Sequence, residues 1–521
     1  MANLDLFSSL FKRKTAAPAT DAVNAAGGAA YRRSDAQALA QYVATGCLSQ
    51  TFYASAADQL TELQVLAHSV EPRFLARAAV YAREQGFMKD TPALLLAILA
   101  SRDGALFEAV FHRVCDNGKL LRNFVQIVRS GATGRRSLGS RPKRLVQRWL
   151  DQRSDAQIFA ASVGNDPSLA DVLKMVHPKP ATANRRALYG YLLGRPYDVA
   201  ALPACAQAYE DFKAGRTTEV PDVPFQMLTS LTLDNKGWRS IAARGGWQMI
   251  RMNLNTFLRH GVFDDIALTK KIAAKLASPA EVRKAKVFPY QLMVAHAQAE
   301  REVPRMIKEA LHDAMEAAIE NVPEIAGKVY VMPDVSGSMH SPVTGVRPGQ
   351  TTAVRCVDVA ALVAAAFLRK NRDAEVLPFH TKVLGCSITA RDSVLTNAQR
   401  LASLPSGGTD CSAPLRELVR RKAKGDLFVF VSDNESWINP AGYGGRGTAV
   451  MQAWETLKKM NPKARLVCID LQPNRTVQAP DREDILNVGG FSDNVFELVA
   501  AFARGGLAGQ HWARVIEAIT V

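Results

Sequence analysis

No stretch of the chain approaches the roughly 18 consecutive apolar residues of a membrane-spanning helix, so no membrane span and no membrane partner is expected. The longest apolar run, Ala93 to Ala100, fits a single buried helix. The N-terminus pairs Leu-Phe with Lys12-Arg13-Lys14 but lacks a signal-peptide apolar core followed by a cleavage site. Cysteine is scarce too: seven residues, with no Cys-x-x-Cys and no short metal-ligand spacing. That excludes a disulfide framework and a structural zinc site, and points to reduced thiols in a cytoplasmic protein. Acid is missing from one long window. Asn117 to Leu150 holds nine basic residues, Lys119, Arg122, Arg129, Arg135, Arg136, Arg141, Lys143, Arg144 and Arg148, and no Asp or Glu. Aromatics are few there, and Phe124 and Trp149 fall at helical positions that suit core packing better than base stacking.

What is present is the composition of an ordinary globular protein with a formal charge of +16. At 521 residues the chain is too long for one core, so two or three domains are expected. The charge is unevenly spread, since Glu300 to Glu324 is net acidic. A one-sign stretch as long as 117–150 creates a field suited to phosphates, which favours a polyanionic partner over a merely solvated face.

Beyond a terminal segment of about twenty residues, the pattern to about residue 320 is helical. Apolar residues recur at three- and four-residue spacing in Ala56 to His68, Glu71 to Gln85, Thr91 to Ser101 and Leu106 to Cys115. Many short helices without a strand signal predict stacked helical pairs of the HEAT or armadillo kind, although no clean repeat period is visible. From Asn321 the pattern changes to alternation. Strands are predicted at Lys328 to Met332, Ala374 to Pro378, Leu427 to Val431 and Arg465 to Asp470, with helices at Ala353 to Lys370 and Gly447 to Met460. Such alternation predicts a parallel, doubly wound α/β sheet, with ligands at the carboxyl ends of its strands. The expected organisation is a flexible 1–20, a helical domain over 21–322 and an α/β domain over 323–521.

The first strand runs into Asp334, Ser336 and Ser338, one carboxylate and two hydroxyls at alternate positions. Ser406-Gly407-Gly408-Thr409 adds a hydroxyl in a Gly-rich loop, and Ser432-Asp433 adds a carboxylate directly after a strand. Oxygen donors alone select a hard divalent cation, Mg²⁺ before others. The competing reading is that Ser336 and Ser338 only cap the next helix. This constellation resembles the metal-ion-dependent adhesion site of von Willebrand A domains. The resemblance implies direct coordination by Ser336 and Ser338, with Thr409, Asp334 and Asp433 ligating directly or through water. It also implies an open position that an acidic side chain of a protein partner fills. No general base or nucleophile cluster accompanies the site, and His340 alone does not make one, so no enzymatic activity is expected.

Ordered landmarks extend the resemblance over roughly residues 20–521. They include Asp21 to Tyr31, Thr45-Gly46 followed by Thr51-Phe52-Tyr53, Gly139 to Trp149, Asp171 to Pro180, Val223 to Leu228, Trp238, Met252 to Leu254 and Phe288 to Leu292. Together with the metal constellation they resemble the Ro autoantigen family, whose helical module is called TROVE. Membership implies a helical-repeat ring followed by a von Willebrand A domain. It implies an RNA-binding, non-cleaving ribonucleoprotein component, monomeric as a protein, that takes single-stranded ends of misfolded or maturing RNAs and binds small noncoding RNA of the Y type. Ribonucleases are partners of such complexes in bacteria. RNA contact is expected from Arg135, Arg136, Arg141, Lys143, Arg144, Arg148, His177 and Lys179. One departure bears on the Y-RNA site: Ile158 to Ser168 lacks the Lys and Arg that the family carries before its histidine. A metal-dependent protein-interaction scaffold without RNA function is the alternative.

Overall fold

The computed structural model describes residues 17–521 other than 47, 135, 286, 288, 321, 323, 347–353, 438–446, 491–492 and 506–510. These residues form two compact units. One is Ala67–Ala318 with Ile519–Val521; the other joins the described residues up to Leu66 to Ile319–Ala518. No described helix is long and apolar enough to cross a membrane.

The first unit is helical throughout, as expected. Its helices Pro72–Glu84, Thr91–Arg102 and Gly104–Val114 begin and end close to the predicted positions, and Gly118–Arg129 and Ser140–Asp151 follow them. Local chemistry sets their starts. Pro92 sits in a first turn, where its missing N–H costs nothing. Asp103 accepts from the amides of Ala105 and Leu106, and Asn117 does the same for Lys119 and Leu120. Ser154/Gln157 and Ser168/Asp171 form reciprocal capping boxes. Each helix then buries one apolar stripe; in Gly118–Arg129 this is Leu120, Leu121, Phe124, Val125 and Val128. Phe124 lies 5.7 Å from Phe107 and 5.5 Å from Phe111, centroid to centroid, in the range of favourable ring pairs. Trp149 is buried and its indole N–H donates to the Cys115 carbonyl at 2.6 Å. Both aromatics of the basic stretch are therefore core residues.

The second unit is built on a five-stranded sheet of β3 (Val329–Pro333), β4 (Glu375–Val376), β5 (Leu427–Ser432), β6 (Arg465–Asp470) and β8 (Ile485–Gly489). Their order is β4-β3-β5-β6-β8 and every pairing is parallel. The helix Cys356–Lys370 is buried along most of its length, which accounts for its run of Ala, Val and Leu. The sheet and the helices around it form the α/β architecture that the alternation predicts.

The compact units divide the chain differently from the expected boundary at 322, because the residues before Leu66 group with the sheet. Short β1 (Ala22–Val23) pairs antiparallel with β2 (Ala29–Arg32), and β2 pairs with β7 (Thr476–Val477), matching Tyr31 to Val477. Gly28 is needed there: a Cβ would stand 2.0 Å from the Ser436 carbonyl oxygen. The Arg33 guanidinium forms a buried ion pair with Asp470 at the carboxyl end of β6, and Gln41 also donates to that carboxylate, at 3.3 Å. These pairings are non-local, so no local periodicity announces them.

Candidate metal centre and nucleic-acid interface

Three chain segments meet at the carboxyl ends of β3 and β5. The turn after β3 is closed by the Ser336 amide donating to Asp334 Oδ1 at 2.8 Å. The hydroxyls of Ser336 and Ser338 then lie 3.4 Å apart. The Gly-rich loop is held against this turn by the Gly337 amide, which donates to the Gly407 carbonyl at 2.9 Å. After β5, the Ser432 hydroxyl donates to Asp334 Oδ2 at 2.7 Å, and the Glu435 amide donates to Asp433 Oδ1 at 3.2 Å. The Ser436 hydroxyl closes the ring of contacts by donating to the Thr409 carbonyl at 3.3 Å. Asp334, Ser336, Ser338, Thr409 and Asp433 are all buried. The structure thus gathers all five residues of the predicted constellation.

The electrostatics leave a deficit of positive charge. Burial raises the Asp334 carboxyl above the usual carboxylate range, against hydrogen bonds from Ser336 and Ser432. Burial, then the Asp334 charge, pushes Asp433 up to about 7. Burial, then the Asp433 charge, pushes Glu435 up to about 8. Asp433 Oδ2 is buried with no hydrogen-bond partner, which a native site rarely leaves without cause. No group of three or more His, Cys, Asp or Glu among the described residues could hold a metal, so any cation here must draw on the hydroxyls as well. Two carboxylates with the hydroxyls of Ser336, Ser338 and Thr409 make an all-oxygen donor set that fits a hard divalent cation. Such an ion would offset the repulsion between the buried carboxylates.

Three residues of this site were not legible as ligand neighbours. Ser432 orients Asp334, and Glu435 adds a third buried carboxyl, although both flank Asp433 in the sequence. Tyr53 comes from the N-terminal segment. Its ionisation is suppressed by burial and then by the Asp433 charge, against a smaller opposing effect of the Ser338 hydroxyl. Gln50 pairs in the same segment with Val346, whose amide donates to the Gln50 carbonyl at 2.8 Å. His340 is engaged by Arg355, 3.1 Å from its Nδ1, and is not poised as a base.

In the helical unit, the basic residues divide between faces. At about 100° per residue, Arg141, Arg144 and Arg148 of the helix Ser140–Asp151 share one side, and Lys143 lies on another beside Gln147. The Arg141 guanidinium packs where a Gly104 side chain would stand, and Arg148 is partly neutralised by Glu108 at 3.3 Å. Arg144 is exposed and forms no ion pair among the described residues. His177 is exposed and ends the helix Leu169–Val176 in the left-handed region, φ +48°. Gln147 donates to the Val176 carbonyl at 2.6 Å and, more weakly, to that of His177 at 3.5 Å, which ties this helix end to the basic helix. Arg136 and Lys179 are exposed on adjoining loops. Arg135 lies outside the described residues.

A family model described as "Ro60 vWA domain" matches residues 328–503, the stretch that carries the whole metal constellation. A protein of Deinococcus radiodurans named "RNA-binding protein RO60" is 27% identical over 519 residues, covering 92% of this chain and 95% of its own. A Caenorhabditis elegans protein of the same name is 22% identical over 250 residues, covering 45% of this chain and 36% of its own. The crystal structure of the Deinococcus radiodurans RO (RSR) protein is similar in fold, with a TM-score of 0.61 at 22% identity. The similarity covers 91% of this chain and 100% of that one.

Proposed function

The chain belongs to the Ro family, with a carboxy-terminal von Willebrand A domain, and from that premise we propose that it is a non-enzymatic, RNA-binding component of a ribonucleoprotein. It holds small noncoding, Y-like RNA and the single-stranded ends of misfolded or maturing RNAs, in RNA quality control. The observation that carries this reading is the basic helix Ser140–Asp151, which up to Leu150 belongs to a stretch without a carboxylate and is tied through Gln147 to the helix end bearing His177. Lys and Arg so placed neutralise phosphates, which gives affinity with little sequence reading and a strong dependence on salt. The names of the two relatives support the same reading.

Purification from cells, with sequencing of the RNA that accompanies the protein, tests it. Small structured RNA or RNA with single-stranded 3′ ends is the expected companion. Protein free of RNA that also ignores added single-stranded RNA at low salt would point instead to a protein-interaction scaffold.

For the von Willebrand A unit we propose a divalent cation, Mg²⁺ by the hardness of its donors, held by Asp334, Ser336, Ser338, Thr409 and Asp433. When bound, it would present a Lewis-acidic position to an acidic side chain of a protein partner, such as a ribonuclease. Asp334→Ala is expected to abolish cation binding, read by calorimetry with Mg²⁺ or Mn²⁺, and to leave RNA affinity near wild type. Retention of one stoichiometric ion by that variant would remove the site.

A further inference from the structure

A cleft of about 440 Å³ opens between the helices Gly118–Arg129 and Asp155–Ala161 and the end of Ser140–Asp151. Its lining includes Lys119, Arg122, Trp149, Arg153, Gln157 and Gln226. Its volume falls within the roughly 300–1,000 Å³ of small-molecule sites. Three cations line it, and none of them forms an ion pair among the described residues. The single lining acid, Asp116, is held by Arg83 through two hydrogen bonds of 3.0 and 2.7 Å.

Arg122 is the most constrained of the three. It is half-buried, and its guanidinium donates only to carbonyls, those of Gly118 at 3.3 Å and Pro167 at 3.4 Å. It lies over Gly164, where a Cβ would stand 2.3 Å from Nη1, so only glycine leaves it room. Burial without a counter-charge lowers its affinity for its own proton. The segment Ile158–Ser168, which has no Lys or Arg of its own, thus receives a cation from the neighbouring helix. The Arg153 guanidinium lies 4.7 Å above the Trp149 ring. The amides that begin the helix Gly118–Arg129 are taken by Asn117, so the side chains rather than the helix end carry the charge.

We propose that this cleft is a nucleotide-binding subsite for an RNA strand, with a phosphate between Lys119 and Arg122 and a base stacked on Arg153. A planar guanidinium backed by an indole is a stacking platform for any base. The Gln157 carbonyl oxygen accepts from the Ser154 amide at 3.0 Å, which leaves its NH₂ for a base edge. An acidic peptide would use the cations but not this platform. The proposal rests on the RNA-binding reading and gives it a particular site.

The test uses the full-length protein stripped of nucleic acid, a single-stranded RNA decamer carrying 4-thiouridine, and the four ribonucleoside 5′-monophosphates. Crosslinks are expected within residues 117–163. The double variant Arg122→Gln, Arg153→Gln is expected to bind the decamer about tenfold more weakly, the loss of charge-assisted contacts. Lys119→Gln removes an exposed side chain whose loss spares the fold, and should flatten the log–log salt slope by about 0.7. Monophosphates should compete with the decamer in the wild type, and inorganic phosphate should compete less well. Crosslinks confined to other segments, or wild-type affinity in the double variant, would overturn the subsite while leaving RNA binding intact. Failure of the wild type to bind any RNA would overturn the functional reading itself. Binding of monophosphates without the decamer would reassign the cleft to free nucleotides.

Discussion

Arg33→Ala is expected to destabilise the unit that contains the sheet by about 3–5 kcal/mol, the range for stranding one partner of a buried ion pair. Arg33 and Asp470 are both almost wholly buried, and the other side chain that donates to the carboxylate is the neutral Gln41. Burial already pushes Asp470 up to about 7 with Arg33 in place. Without the guanidinium its pKa must rise further, and the sign of the pH dependence follows. A carboxyl whose folded pKa exceeds its unfolded value lowers stability as pH climbs from the unfolded pKa to the folded one. The deficit of the variant therefore grows as pH rises above about 7 toward the variant's own, higher pKa, and shrinks toward about pH 5, where the folded carboxyl stays protonated in both proteins. Urea denaturation at the two pH values measures it. Arg33→Met combined with Asp470→Leu should recover most of the loss, since two apolar groups leave no charge stranded. A deficit that did not depend on pH would mean that packing, not charge, makes Arg33 important.

Charge reversal of Arg141, Lys143 and Arg144 to Glu is the second large effect. It is expected to weaken single-stranded RNA binding about a hundredfold at low salt, since three phosphate contacts become repulsions. The log–log salt slope should fall by about 2, at roughly 0.7 per lost contact on a single strand. The structure adds discrimination among the three. Arg144 is exposed and without an ion pair, whereas the Arg141 guanidinium lies over Gly104, so Arg144→Glu alone should account for the larger share. Lys270→Glu with Lys271→Glu, exposed positions on the helix Ile266–Ala277, serves as a comparison for a generic change of net charge. Equal losses in the two sets of variants would mean that total charge, not the Ser140–Asp151 surface, governs binding.

Much of this is readable from the residues alone. β3, β5 and β6 are long buried runs, and burial on both faces of a parallel strand writes a continuous apolar signal. Asp334, Ser336 and Ser338 are legible because oxygen donors at alternate positions after a strand converge on one point as the chain turns. β8 escapes the pattern because the polar Asn487 interrupts it; the structure buries that side chain by bonding it to the Ala479 carbonyl at 2.9 Å. β1 and β7 are two residues each, too short to carry any period. Tyr53 and the Arg33–Asp470 pair have no local signature, since what defines them is a partner hundreds of residues away.

That separation has a consequence for biosynthesis. Arg33 meets Asp470 across 437 positions of the sequence. At roughly 5–20 residues per second, the ribosome needs about 20–90 s to supply the second after the first. Throughout that interval β2 has no β7 to pair with, and the helical unit from Ala67 to Ala318 emerges complete but for its last three residues. Arg113 binds the Thr520 carbonyl at 2.6 Å, so that unit too receives a contact from residues synthesised after β7. The nascent amino-terminal segment is thus a waiting strand, and a protein truncated shortly before Arg475 would release it with its edge unpaired, open to capture by chaperones or by other chains.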